Sequence, residues 1–240
     1  MPGAGILSAT AAARVGSGYV YFLQTSDYFF SKNFPDFIIL KKKSLKKNIF
    51  GFNSIAIGPG LEKSLEAQKL LKILLQSKFP FVVLDADGLN MLSDFKNVVL
   101  PESWIMTPHE GELARLIKKS SKQIHQNREE SILFAQKKFG CHILLKGKKT
   151  LIANKNALLE IQTGNKALAK AGTGDVLAGM IAGLMAQGLS PLKAACLAAS
   201  LHGKIADEWI IKKDYLGLMA SDLLTQIPVV MKQLRNFSKT

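Results

Sequence analysis

The sequence predicts a single α/β domain built on a largely parallel sheet, and three observations carry that prediction. Continuously apolar runs of strand length recur at residues 54–57, 81–84, 104–106 and 142–145, as expected of strands buried on both faces. Segments with helical spacing separate several of them. A polar or glycine-rich motif follows each run, at the strand ends where open α/β sheets bind their ligands. With 240 residues, 48% hydrophobic and 21% charged, the chain has enough apolar material for one sizeable core. It shows no linker, internal repeat or low-complexity segment.

In chain order, residues 4–15 (AGILSATAAARV) read as a small-residue helix stopped by Gly16, and residues 19–23 (YVYFL) as an aromatic, β-prone run. Parallel α/β domains normally open with a strand that feeds the first helix. A chain opening on a helix is therefore expected to lack its first strand and glycine turn. Residues 36–40 and 54–57 are strands on either side of the basic run KKKSLKK at 41–47. That run has no interleaved aromatic residues for base stacking, so it reads as a solvated connection.

The strand at 54–57 ends in Gly58-Pro59-Gly60-Leu61, a turn that lets backbone approach a ligand, and a helix follows over 63–76. The strand at 81–84 ends in DADGLN (85–90), and that at 104–106 ends in TPHEGE (107–112), where a helical region begins and runs from about 111 to 138. Residues 142–145 end in KGKKT (146–150), and 151–153 with 157–161 read as a hairpin. The remainder is helical: 176–187, 191 to about 211, and a C-terminal pair broken before Pro228, which lacks a backbone donor.

The densest signal is GNKALAKAGTGDVLAGMIAGLMAQG, residues 164–188. Gly172, Thr173 and Gly174 precede Asp175, which falls in the first turn of an apolar helix. Unpaired N–H groups there, the helix dipole and the small glycines together suit an anion such as a phosphoryl group. Beside them, the Asp175 carboxylate can take a proton from an attacking hydroxyl. Each motif also has a purely structural reading: Asp175, Asp85 and Asp87 as helix caps, Gly58-Pro59-Gly60 as a tight turn, His109 as a satisfied turn histidine, Lys146 as a surface charge. Their shared position at strand ends favours a site.

Lys and Arg outnumber Asp and Glu by 32 to 18, a formal charge of +14. This suits nucleotides, dinucleotides, nucleic acid or an acidic partner equally. Cys141 and Cys196 lie far apart in apolar surroundings, which excludes a disulfide framework or zinc site and agrees with a reducing cytosol. The opening residues lack a basic n-region, and the longest apolar stretch falls short of the ~18 residues of a membrane span. A soluble cytoplasmic protein is expected, with no metal site, no membrane partner and no nucleic acid.

Taken in order, these motifs resemble the ADP-dependent NAD(P)H-hydrate dehydratase family, a branch of the ribokinase-like fold. The resemblance runs through PGA-x-x-L at residues 2–7, GPGL at 58–61, DADGLN, TPH-x-GE, K-G-x-x-T at 146–150, GN-x-ALAK and GTGD-x-L-x-G over 164–179, and LHG at 201–203. It implies a three-layer α/β/α sandwich that uses ADP, with ATP an open substitute, and Mg2+. The substrate it implies is the S epimer of hydrated NADH or NADPH. Ala4, Gly60, His109 and Asp175 would contact that substrate, with Asp175 the catalytic base. Lys146, Gly147, Lys148, Lys149, Thr150 and Gly174 would hold the nucleotide, while Gly172, Thr173 and Gly174 form the anion hole. Asp85 and Asp87 would orient substrate or a hydrated magnesium ion. The resemblance further implies a homo-oligomer, for which a tetramer would be unsurprising.

Three positions depart from the family pattern: Ala171 where a glycine is usual, Glu110 for a common proline, and Glu62 where a further glycine is frequent. The family also usually has a strand and glycine-containing loop ahead of its PGA element. Two alternatives share the evidence: an ATP-dependent vitamin or sugar kinase of the same fold, and a non-catalytic anion- or nucleic-acid-binding protein.

Overall fold

Six strands form the central sheet of the computed structural model, which describes residues 2–24, 36–41, 51–77 and 79–237. The elements run α1 (Pro2–Arg14), β1 (Tyr21–Gln24), β2 (Ile38–Lys41), β3 (Ile55–Ile57), α2 (Leu65–Ser77), β4 (Val82–Leu84), α3 (Ala86–Leu92), β5 (Ile105–Met106), α4 (Glu110–Ile117), α5 (Ser121–Gln126), α6 (Arg128–Phe139), β6 (His142–Leu145), β7 (Leu151–Ala153), β8 (Leu158–Glu160), α7 (Thr173–Ala186), α8 (Pro191–Lys212) and α9 (Ala220–Phe237). The sheet order is β3-β4-β5-β6-β7-β8, parallel from β3 to β6 and antiparallel through the β7–β8 hairpin. Residues 42–47 of the basic run lie outside the described residues.

The apolar strands are buried on both faces because a helical layer covers each. Alternation along a strand sends Val83, Ile105, Leu144 and Ile152 into a core shared with α7, α8 and α9. Their neighbours Val82, Leu84, Met106, Ile143 and Leu145 pack with α2 to α6 on the opposite face. The result is the expected three-layer α/β/α sandwich with a largely parallel sheet. No described helix is long and apolar enough to cross a membrane.

One helical expectation is refined and one corrected. The region from 111 to 138 is three helices, because Lys118 turns left-handed at φ 57° and Ser120 opens α5 with a capping box to Gln123. The C-terminal pair is one helix that runs through Pro228. Pro228 sits on the exposed face, where the Leu224 carbonyl it leaves unpaired can meet water, while Leu223, Ile227 and Val230 are buried along the opposite stripe. Tertiary packing there outweighs the local breaker.

The chain does open with a helix and then a strand. β1 and β2 form a separate two-stranded parallel sheet. Between β1 and the β3 edge of the main sheet lies a cavity of about 580 Å3, lined by Tyr21 to Leu23, Ile55 to Ile57, Ala9 and Ala12 of α1, Ala182 of α7 and Leu74 of α2. Among the described residues no strand bridges the two sheets. Above this gap α1 packs closely on α7: a Cβ at Gly179 would lie 2.0 Å from the Ser8 carbonyl oxygen, so only glycine permits that approach.

Candidate active site

The site begins at the N-terminus of α7, which forms where it does because Gly172 turns the chain at a left-handed φ of 89°. The next residue is a staple: Thr173 Oγ1 lies 2.8 Å from the Leu168 carbonyl and 2.9 Å from that of Lys170. Its N–H reaches the Lys170 carbonyl at 3.4 Å. Of the expected anion-hole donors Gly172, Thr173 and Gly174, Thr173 N–H is thus already engaged. Among the described residues the N–H groups of Gly172, Gly174 and Asp175 lack a partner, as expected at the start of a helix. From α8, buried His202 meets the Thr173 carbonyl through Nε2 at 3.0 Å. Burial lowers its pKa to about 4, so it is neutral, and a carbonyl partner requires the proton on Nε2. Ala171 keeps φ outside the left-handed region, so its β-carbon brings no backbone strain.

Into this turn reaches Lys146, projected from the C-terminal end of β6. Its Nζ lies 2.6 Å from Asp85 Oδ1 and 3.7 Å from Glu112 Oε2, and a Cβ at Gly174 would stand 3.3 Å from it. The surface-charge reading of Lys146 thus fails. Burial pulls this ammonium's pKa down, but Asp85 and Glu112, with Asp175 behind them, outweigh burial and hold it above the usual lysine range. Asp85 stands at the N-cap of α3, yet its carboxylate makes no cap bond. It serves Lys146 instead.

The carboxyl group of Asp175 is pushed up to about 6. Desolvation is the main cause, the charge of Asp85 adds to it, Lys146 opposes, and Glu112 and Asp87 contribute further. A carboxylate so placed ionises near neutrality and gains more from accepting a proton than an exposed one.

His109 caps α4, with Nδ1 accepting N–H bonds from Gly111 at 3.0 Å and Glu112 at 3.3 Å, while Glu112 Oε2 accepts the His109 N–H at 2.8 Å. The turn-histidine reading is therefore right for Nδ1. With Nδ1 accepting, the ring proton sits on Nε2, which lies 3.6 Å from Glu112 Oε1 on a half-exposed side chain that a ligand can reach. On the opposite rim, the Gly58–Gly60 turn meets α1: a Cβ at Gly5 would lie 3.6 Å from the Pro59 carbonyl oxygen. Leu7 of the same helix packs against Gly172. Ala4 lies in the first turn of the same helix and Gly60 in the turn that meets it. Glu62 takes a left-handed φ of 59°, which explains why glycine is frequent there, and its N–H donates to Asp87 Oδ2 at 2.9 Å.

Of the six residues proposed for the nucleotide, Gly174 stands beside Lys146, while the five of the 146–150 loop separate. Only Lys146 turns inward. Lys148 and Lys149 are exposed, Lys149 pairing with Glu160 at 3.5 Å, and Thr150 Oγ1 donates to the Gly147 carbonyl at 3.2 Å rather than outward. Three further residues had no role in the sequence reading: Glu112, His202 and Arg128. Glu112 was legible in principle, since a polar residue followed three positions later by Glu is capping-box spacing. The other two act across 17 to 29 residues of chain, where sequence spacing carries no signal. Among the described residues, no group of three or more His, Cys, Asp or Glu side chains is arranged to hold a metal.

Comparison with known proteins fits this geometry. The ADP-dependent (S)-NAD(P)H-hydrate dehydratase of Neisseria meningitidis is 36% identical over 245 residues, covering 98% of this chain and 81% of that protein. A bifunctional NAD(P)H-hydrate repair enzyme of Coxiella burnetii is 35% identical over 96% of this chain, which spans 48% of that relative's length. The crystal structure of ADP/ATP-dependent NAD(P)H-hydrate dehydratase from Bacillus subtilis, co-crystallized with ATP/Mg2+, superposes with a TM-score of 0.83 at 30% identity, covering 97% of this chain and 85% of that one. A hydroxyethylthiazole kinase from Pyrococcus horikoshii, at 15% identity and a TM-score of 0.64, shares the fold alone. The family model described as NAD(P)H-hydrate dehydratase matches residues 1–229, and on that match and these relatives the chain belongs to the NAD(P)H-hydrate dehydratase family.

Proposed function

We propose that this protein uses ADP to dehydrate the S epimer of hydrated NADH or NADPH, releasing the reduced dinucleotide, AMP and phosphate. The observation that carries the proposal is Asp175, a half-buried carboxyl group with a pKa raised to about 6, set in the same helical turn as two unpaired N–H groups and beside the Lys146 ammonium. Base and anion hole thus share one turn.

Hydroxide is a poor leaving group and phosphate a good one, so the hydroxyl of the hydrate is first phosphorylated. Asp175 takes the hydroxyl proton as its oxygen bonds to the terminal phosphorus of ADP and AMP departs. The Gly174 and Asp175 N–H groups and the α7 dipole stabilise the transferred phosphoryl, a contribution on the order of 3 kcal/mol per donor in enzymes of this kind. The ring nitrogen then expels phosphate, and loss of the neighbouring C–H proton completes the reduced nicotinamide. Lys146 holds charge at the same point, and His109 Nε2–H is placed to orient the substrate.

Magnesium fits as a hydrated ion carried on nucleotide phosphates, because Asp85, Glu112 and Asp175 face a single buried ammonium at Lys146 and leave an excess of negative charge. It would offset phosphate charge there. The same reading places the reaction in the cytoplasm, in a homo-oligomer, with ATP as a possible substitute for ADP.

Incubation with hydrated NADH, ADP and magnesium tests the proposal. NADH absorbance should return, with AMP and phosphate formed in equal amounts. A stable phosphorylated product and no NADH would instead identify a small-molecule kinase.

A further inference from the structure

We propose that Arg128, held in place by Glu110, is a positioning residue for the nucleotide loop at residues 146–149. The inference rests on the reading that this loop holds ADP. Arg128 opens α6, and its guanidinium lies under the loop with its side chain only 15% exposed. Nη2 is 3.3 Å from the Leu145 carbonyl, 3.5 Å from that of Lys146 and 3.3 Å from that of Lys149. One nitrogen therefore gathers three carbonyls from the two ends of the loop. Nη1, also beside the loop, makes an ion pair with Glu110 Oε1.

Gly147 supplies an independent observation. At φ 138°, a Cβ there would lie 2.7 Å from Nη1 and 3.2 Å from Nη2. The loop's glycine thus makes room for the guanidinium as well as meeting a backbone requirement. The fork geometry matters, because a planar guanidinium donates to the carboxylate and to the carbonyls at once, whereas a lysine ammonium is a point charge on a flexible stem.

Glu110 explains the departure from the family's proline at that position. It is the first residue of α4, next to the His109 cap, where a carboxylate is favoured by the helix dipole. Its carboxylate also lies 3.1 Å from His125 Nδ1. Through Glu110 and Arg128, the helix that carries His109 is tied to the loop that carries Lys146. In this chain a charged contact joins the two sides of the site.

The test compares wild type, Arg128→Gln, Arg128→Lys, Glu110→Gln and the Arg128→Gln/Glu110→Gln double variant. Calorimetric titration with magnesium-ADP is combined with the KM for hydrated NADH at saturating ADP. Arg128→Gln should weaken ADP binding about tenfold, and Glu110→Gln about threefold, with the double variant no worse than Arg128→Gln because the two residues act as one unit. Arg128→Lys should recover little. The KM for the hydrate should stay within about twofold in all, a split that general loosening of the fold would not produce. ADP affinity within twofold of wild type in Arg128→Gln, additive losses in the double variant, or a parallel rise in both constants would each overturn the inference. Should Arg128→Gln fail to fold, unchanged ADP affinity in Glu110→Gln would do so. Wild type that does not bind ADP would overturn the nucleotide reading first, and this inference with it.

Discussion

At the scale of single residues, the site depends on how Asp175 holds its proton. Its folded-state pKa of about 6 lies above the ordinary aspartate value of 3.8, so the folded protein binds that proton more tightly than the unfolded chain. Stability from this group is fully present below the unfolded value and is lost as pH rises through the window up to about 6. Two outcomes follow for one substitution. Asp175→Asn should cut turnover by at least ~10²-fold, as loss of a general base does, while its unfolding midpoint at pH 7 equals or exceeds that of wild type. In wild type, kcat/KM should fall on the acid side with a midpoint near 6, because the base must be ionised in the free enzyme. A limb near the ordinary aspartate value, or a folded Asp175→Asn variant with full activity, would return this residue to the role of a cap. Asp175 was legible in the sequence because the chemistry and the helix start lie within four consecutive residues. The network that tunes it was not: Asp85, Glu112 and Lys146 come from three strand ends, and only the fold brings them together.

At the scale of elements, continuous apolar runs revealed β3 to β6 because strands covered on both faces have no polar side to show. Local signals misled where packing overrode them. Pro228 reads as a break, yet α9 continues because its buried stripe lies on the other side of the helix from the proline. Pro228→Ala should therefore stabilise the protein by roughly 1 kcal/mol or more, within the ~3 kcal/mol a helix-interior proline costs, as read by denaturant unfolding. No gain would mean that α9 is already distorted to suit the ring. The α1–α7 contact gives the opposite test. Gly179→Ala places a Cβ 2.0 Å from the Ser8 carbonyl oxygen, and backbone cannot step aside as a side-chain end can. A loss of roughly 1–3 kcal/mol is expected, as for overpacked cores, together with weakened activity because α7 carries Asp175. Unchanged stability would show that α1 is loosely held.

At the scale of the whole molecule, the convergence of strand ends on one edge was legible, but the strand order and the division into two sheets were not. A gap flanked by β1 and β3 leaves backbone groups on both edges without a strand partner among the described residues. Alternation along β3 turns the Ile55 N–H toward β4 and the Ala56 N–H toward the gap. The Ala56 amide should exchange with deuterium far faster than Ile105 at the centre of the main sheet, and equal protection would show that the gap is filled.

The central claim is that this fold makes a leaving group out of a hydroxyl. An oxygen label in that hydroxyl tests it most directly. Hydrated NADH carrying 18O at the ring hydroxyl, turned over with ADP and magnesium, should place the label in the released phosphate, one labelled oxygen for each NADH formed. Label recovered in water, with unlabelled phosphate, would show that ADP is hydrolysed apart from the dehydration and would contradict the account.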